Sequence, residues 1–217
     1  MRVRHFAAAL AVAIAAPDGA FGQSGKLTIV TVDAAALLCI YDKSCKTSSV
    51  DSSVAFDMPD IIGTQPRPRL HTRTILGAAG APAAGKTGYL YRLDLTGVVG
   101  GSDVSCATAI KLDVGPTAKF EYFKNGANAD VFVVDKGAPG TVGLSKAERI
   151  GSGVTLTFRK SICVGTGAGG GEGSLFFGLT SDHAPKAANA QVMLVGGVMA
   201  KRQHTATAKA PTRAPAY

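Results

Sequence analysis

Tryptophan is absent from this 217-residue chain, and aromatic residues make up only 6% of it. Its core must therefore come mainly from Val, Ile, Leu and Ala. No apolar run approaches the roughly 20 residues that a membrane-spanning helix needs. The four cysteines lack the C-x-x-C or Cys/His spacing of a zinc site, so no metal is expected. There is no N-x-S/T acceptor, no G-x-S-x-G nucleophile elbow and no D-x-D-x-D-G calcium loop. Asp130 and Asp135 merely flank one apolar run, and Asp57 and Asp60 bracket Pro59.

What is present fits a globular chain: 46% hydrophobic and 18% charged, punctuated by 27 glycines and 10 prolines. That punctuation suits many short strands and turns better than long helices. Residues 1–22 have the layout of a secretory signal peptide. Arg2 and Arg4 are followed by the apolar stretch Phe6–Ala16, a break at Pro17-Asp18-Gly19, and the small-residue exit Ala20-Phe21-Gly22. A mature chain starting at Gln23 is expected to be exported to the periplasm or beyond. The Ala- and Gly-rich leader points to a bacterial source.

All four cysteines lie after that cleavage point, and an even count in an exported chain reads as disulfides. Of three possible pairings, Cys39–Cys45 closes a local loop, and Cys106–Cys163 clips strands far apart in sequence. That pairing is the expected one.

Period-two alternation recurs along the chain. In Tyr89–Leu95, Tyr89, Tyr91, Leu93 and Leu95 share one face opposite Leu90, Arg92 and Asp94. Lys119–Tyr122 and Val154–Phe158 alternate likewise, and Leu27–Val32, Asp130–Val134, Leu175–Leu179 and Gln191–Val195 read as further strands. Gly151-Ser152-Gly153 joins two of them as a hairpin. The pattern predicts an all-β, single-domain β-sandwich over 23–200, with about ten short, mostly antiparallel strands, disulfide staples and glycine-rich loops. A helical turn is expected from Asp33 through Leu38, and another over Pro185–Ala190.

The formal charge of +8 is unevenly distributed. Without Arg2, Arg4 and Asp18 the mature chain holds 21 basic and 14 acidic residues, a charge of +7. Lys201, Arg202, Lys209 and Arg213 supply four of those cations within 201–217, where no acid occurs. The segment alternates Ala, Thr and Pro, so it is expected to be a basic disordered tail. Its removal is expected to cost less than about 1 kcal/mol. Those four cations are candidate contacts for an anionic envelope polymer or surface.

Several motifs match by string only. Gly80–Thr87 fits G-x-x-x-x-G-K-T, but that chemistry needs a helix to follow the loop. Here Tyr89–Leu95 reads as a strand, so no nucleotide and no cofactor are expected. Lys86-Thr87-Gly88 matches the strand triad of penicillin-binding enzymes, without the S-x-x-K and S-D-N those enzymes require. Gly165, Gly167 and Gly170 satisfy G-x-G-x-x-G, yet a strand follows where a dinucleotide unit demands a helix. Gly167, Gly170 and Glu172 are kept as a candidate binding loop.

No catalytic residue is assigned, and whether the protein is an enzyme stays open, with the balance against. The function expected is that of an exported, non-enzymatic β-sandwich acting in binding, adhesion or envelope structure. The alternative is an exported hydrolase using His183, beside Asp182, or His71, with carboxylates or a serine assembled by the fold.

Overall fold

A computed structural model describes residues 24–46, 48–59, 61, 66–101, 104–122, 128–166, 170–196 and 204–217. Residues 1–22 and the cations Lys201 and Arg202 lie outside them, as does Gly167. Among the described residues the chain is all-β, with one helix. In order it forms β1 (Gly25–Lys26), β2 (Ile29–Asp33), α1 (Ala34–Tyr41), β3 (Ser49–Ala55), β4 (Arg69–Leu76) and β5 (Thr87–Asp94). There follow β6 (Cys106–Asp113), β7 (Phe120–Glu121), β8 (Asn128–Ala129), β9 (Val131–Lys136) and β10 (Leu144–Ile150). The chain ends with β11 (Gly153–Cys163), β12 (Phe176–Ser181), β13 (Pro185–Gly196) and β14 (His204–Pro215).

Two six-stranded sheets contain all but the β7–β8 pair. One, sheet A, runs β1-β10-β11-β6-β13-β14 and is antiparallel throughout. The other, sheet B, runs β2-β9-β12-β5-β4-β3, and only its β2–β9 pair is parallel. The alternation seen in the sequence places Tyr89, Tyr91 and Leu93 of β5 in one buried cluster with Ile110, Leu112, Val154, Leu156, Val192 and Leu194 of sheet A. That cluster is the interior between the sheets.

Sheet B also has a covered outer face, which explains the continuous apolar run of β9. Leu90, Phe132 and Val134 point there, into a second cluster with Leu37, Ile40 and Tyr41 of α1 and with Phe120 and Tyr122. The hydroxyls of Tyr41 and Tyr122 both meet Thr180 Oγ1, at 2.7 and 2.8 Å. The ring of Tyr41 lies directly on Gly88, where an added Cβ would stand 2.5 Å from Cζ. Close packing therefore accounts for the glycine of Lys86-Thr87-Gly88.

Both disulfides form in the expected pairing. Cys39–Cys45 ties the last turn of α1 to the loop behind it, and Cys106–Cys163 joins register partners in β6 and β11. The hairpin at Gly151-Ser152-Gly153 links β10 to β11.

Three expectations are corrected. Pro185–Ala190 is the start of strand β13, not a helix, because each of its residues pairs in register with β14. The strands exceed ten, and β11, β13 and β14 run to 11 or 12 residues. The disordered tail is the largest correction. His204–Pro215 is a full strand pairing with β13 from Gly196↔His204 to Pro185↔Pro215, so the domain extends well past residue 200. The physical reason is that small side chains suffice there. Ala208, Ala210, Thr212 and Ala214 are buried in alternation, and the alanines share the cluster of Tyr89, Tyr91 and Leu70. Tyr91 donates its hydroxyl to the carbonyl of Arg213 at 2.8 Å, and Thr72 and Thr212 exchange a buried hydroxyl bond of 2.6 Å. Pro211 and Pro215 also remove two donors from this exposed sheet edge, which discourages pairing with another chain.

Candidate functional site

Helix α1 covers only part of sheet B's outer face. The uncovered part, over β3, β4 and β5, is built by alternation. In β4, Leu70, Thr72 and Thr74 turn inward, so Arg69, His71 and Arg73 stand in a row on the outside. Register sets Ser53 of β3 opposite His71, with Arg92 of β5 on its other side, and sets Asp51 opposite Arg73.

The result is a shallow groove of about 210 Å³ whose lining includes Asp51, Ser53, His71, Arg73 and Phe176. Arg73 grips Asp51 bidentately, Nε to Oδ1 at 2.9 Å and Nη2 to Oδ2 at 2.7 Å. The same guanidinium lies over the ring of Phe176, 5.5 Å from its centroid. Arg69 donates to Ser53 Oγ at 2.7 Å and to its carbonyl at 2.9 Å. Asp94 receives Arg92 Nη1 at 2.7 Å and the amide of Thr96 at 2.9 Å, and His71 Nε2 lies 3.3 Å from its Oδ2.

Electrostatically the groove is almost balanced. Partial burial pushes the Asp94 carboxyl up, but hydrogen bonds from Thr96 and Arg92 and the charge of Arg92 outweigh it, leaving the group below its ordinary range. Asp51 follows the same pattern, with burial outweighed by Arg73. Both carboxylates are therefore ionised and satisfied at neutral pH. Arg92 is only 11% exposed, and its Nε is buried without a hydrogen-bond partner. Gly173 makes room for it, since a Cβ there would stand 2.9 Å from Nη2.

Sequence-singled residues fall in several places. His71 joins this groove. His183 does not: its carbonyl accepts from Tyr89 at 2.6 Å and its amide donates to Ser181 Oγ at 3.2 Å, while Asp182 pairs with Lys86. A strand, β5, follows Gly85-Lys86-Thr87. In the glycine-rich loop, Gly170 is exposed and Glu172 pairs with Lys160. The loop's return is pinned, Glu172 N to Cys163 O at 3.1 Å and Leu95 N to Glu172 O at 2.9 Å. Its exit at Gly173, rather than Glu172, borders Arg92. Lys209 and Arg213 are exposed residues of β14. Asp130 accepts the amide of Thr28 at 2.9 Å.

Sequence reasoning missed Asp51, Ser53, Arg69, Arg73, Arg92, Asp94 and Phe176 as one site. The signal for part of it was there: Arg69, His71 and Arg73 at i, i+2 and i+4 in a segment whose intervening residues are Leu70 and Thr72. Comparison with known proteins returned no matching family model, curated protein or solved structure.

Proposed function

We propose that the protein is an exported, non-enzymatic binding module that holds a hydroxyl-rich, uncharged ligand, a sugar unit of a glycan, in the groove on sheet B. The observation that carries this reading is the Asp51–Arg73 pair laid against Phe176. A planar, mutually neutralised guanidinium and carboxylate offer donors and acceptors side by side, as adjacent hydroxyls require. The aromatic face beside them suits the C–H surface of a sugar ring. Their geometry is already set by the pair itself, which lowers the ordering cost of binding. The volume is below the roughly 300–1,000 Å³ of sites that enclose a drug-sized ligand. That suits one ring of a chain whose neighbours lie outside.

Export rests on the leader-like residues 1–22 and on the use of all four cysteines in disulfides. Among the described residues no helix is long and apolar enough to cross a membrane.

A second reading, a hydrolase, is favoured by one observation: His71 is oriented by Asp94 with Ser53 opposite it in register. Against it, Ser53 Oγ already accepts from Arg69. The test is a glycan array followed by calorimetry on the mature protein. Phe176→Ala and Arg73→Ala should each weaken the selected glycan by about tenfold or more while both variants stay folded by circular dichroism. Absence of binding across the array, or full affinity in both variants, defeats the binding reading. Ester or glycoside turnover that disappears in both His71→Ala and Ser53→Ala establishes the second.

A further inference from the structure

The opposite face of the molecule has a different character. Sheet A carries no helix on its outer side among the described residues, and its register aligns one row straight across all six strands. That row is Lys209–Gln191–Lys111–Thr155–Glu148–Lys26. Beside it runs Thr207–Met193–Ala109–Thr157–Lys146. Lys26, Lys111, Gln191 and Lys209 are exposed, and Met193 is 42% exposed.

The charges of this face are not matched. Lys146 and Glu148 pair at 2.8 Å, which neutralises both. Asp113, at the end of β6, accepts from the hydroxyl of Tyr217 and keeps its negative charge, which nearby Lys186 and Lys111 favour, so it offsets one cation of this face. Lys26, Lys111, Lys209 and Arg213 have no carboxylate within ion-pair distance among the described residues. The sheet B face around the groove differs, since Asp51 and Asp94 neutralise Arg73 and Arg92 and leave Arg69 alone without a carboxylate there, among the described residues. The surplus positive charge is thus concentrated on a flat surface.

We infer that this face of sheet A docks a linear carboxylated polysaccharide, a polyuronate, lying across the strands. Three features select that occupant from other polyanions. The row supplies lysines, not the paired guanidinium forks that favour bidentate phosphate recognition. Amide and hydroxyl groups of Gln191 and Thr155 stand between the cations, placed to bond sugar hydroxyls. No aromatic side chain lies in either row, and the ring of Tyr217, beside Asp113 at the end of the face, is already covered by Lys186 Nζ at 4.0 Å from its centroid, so a single-stranded nucleic acid finds no series of stacking platforms. Spacing agrees as well. Neighbouring strands lie about 4.8 Å apart, so Lys209 and Lys111 are about 10 Å apart across β13. That is close to the disaccharide length at which a two-fold polyuronate ribbon turns its carboxylates to the same side. The site is independent of the groove, and binding here neither requires nor reports on it.

The experiment is affinity electrophoresis of the disulfide-bonded mature protein through gels containing polygalacturonate, polyphosphate, single-stranded DNA or neutral dextran. Retardation by polygalacturonate that falls as salt rises is expected, with none by dextran. Lys111→Glu combined with Lys209→Glu should weaken it by about tenfold, since two attractions become repulsions. Should the glutamates impair folding, judged by circular dichroism, Lys111→Gln with Lys209→Gln should give a smaller loss in the same direction. Phe176→Ala should leave it unchanged. The inference is overturned if polygalacturonate does not retard the protein, if polyphosphate or DNA retards it equally, or if the folded double variants bind as tightly as the parent.

Discussion

Replacing Thr212 by Val tests whether the last strand is docked, and does so with almost no change of shape. Thr212 and Thr72 are 7% and 2% exposed, and their hydroxyls meet at 2.6 Å across the interior. Val fills the same volume, so the substitution removes the hydrogen bond and leaves Thr72 with a buried hydroxyl lacking its partner. An orphaned buried hydroxyl costs about 1–3 kcal/mol, more than the net worth of the bond itself. Thr72→Val should cost a similar amount for the mirror-image reason. The double variant strands nothing and exchanges two buried hydroxyls for methyls, so it should fall within about 0.5 kcal/mol of the parent. Its coupling energy then equals or exceeds either single penalty in size. Urea denaturation followed by far-UV circular dichroism measures all three, since the chain has no tryptophan to report by fluorescence. Additive effects, or a Thr212→Val penalty under about 0.5 kcal/mol, would show that β14 does not pack as described. Ending the chain at Gly196 should be far more damaging. Four buried methyl-sized groups, at about 0.8 kcal/mol each, amount to about 3 kcal/mol. The ladder to β13 is lost besides, against a total domain stability of about 5–15 kcal/mol.

Three further outcomes follow from the packing. Removing Cys106–Cys163, which closes 57 residues, should lower stability by about 4 kcal/mol and removing Cys39–Cys45, which closes 6, by about 2; equal losses in paired Cys→Ala variants would contradict the loop-closure account. Burial raises the phenols of Tyr41, Tyr89, Tyr91 and Tyr122, Tyr89 to about 12, and the bond to Asp113 raises Tyr217. Their folded values exceed the unfolded value of about 10, so this stabilisation is complete below pH 10 and lost above it. An ultraviolet pH titration should show the four buried phenols un-ionised near pH 10 and then cooperative alkaline unfolding; a gradual wave of all five tyrosines centred on 10 refutes it. Gly88→Ala drives a methyl into the Tyr41 ring and should cost about 1–3 kcal/mol, whereas Lys86→Ala, which breaks only the partly exposed pair with Asp182, should cost less than about 1 kcal/mol; the reverse order in thermal denaturation would refute the packing account.

Legibility in the sequence tracked side-chain size. Strands carrying large apolar residues at every second position, such as Tyr89–Leu95, were visible because their buried face differs sharply from the exposed one. Strand β14 alternates just as regularly, but its buried residues are Ala and Thr, which score close to neutral. Its burial is decided by the partner sheet, where Tyr89, Tyr91 and Leu70 supply the bulk. Strand β3, reading SVDSSVA, was hidden for a related reason: it is an edge strand with little buried surface. The groove was less legible still. His71 carried a visible signal, but its company is set by cross-strand register among β3, β4 and β5. Register joins residues up to about 40 positions apart, and no local pattern encodes it.

The order of the strands constrains when the molecule can become itself. A ribosome releases the chain from its N-terminus, yet β2 must wait for β9, which lies about a hundred residues downstream, and β1 for β10. At the other side of the interior, closure waits until β14 has emerged to cover Tyr91 and Leu70. A nascent or prematurely terminated chain thus has neither end fastened and shows apolar surface to any protease or chaperone nearby. With pairings of such long sequence separation, closure is slow as well as late. A chain cut short of β14 leaves Tyr91 and Leu70 uncovered, so the presence of that one small-residue strand decides whether the interior closes at all.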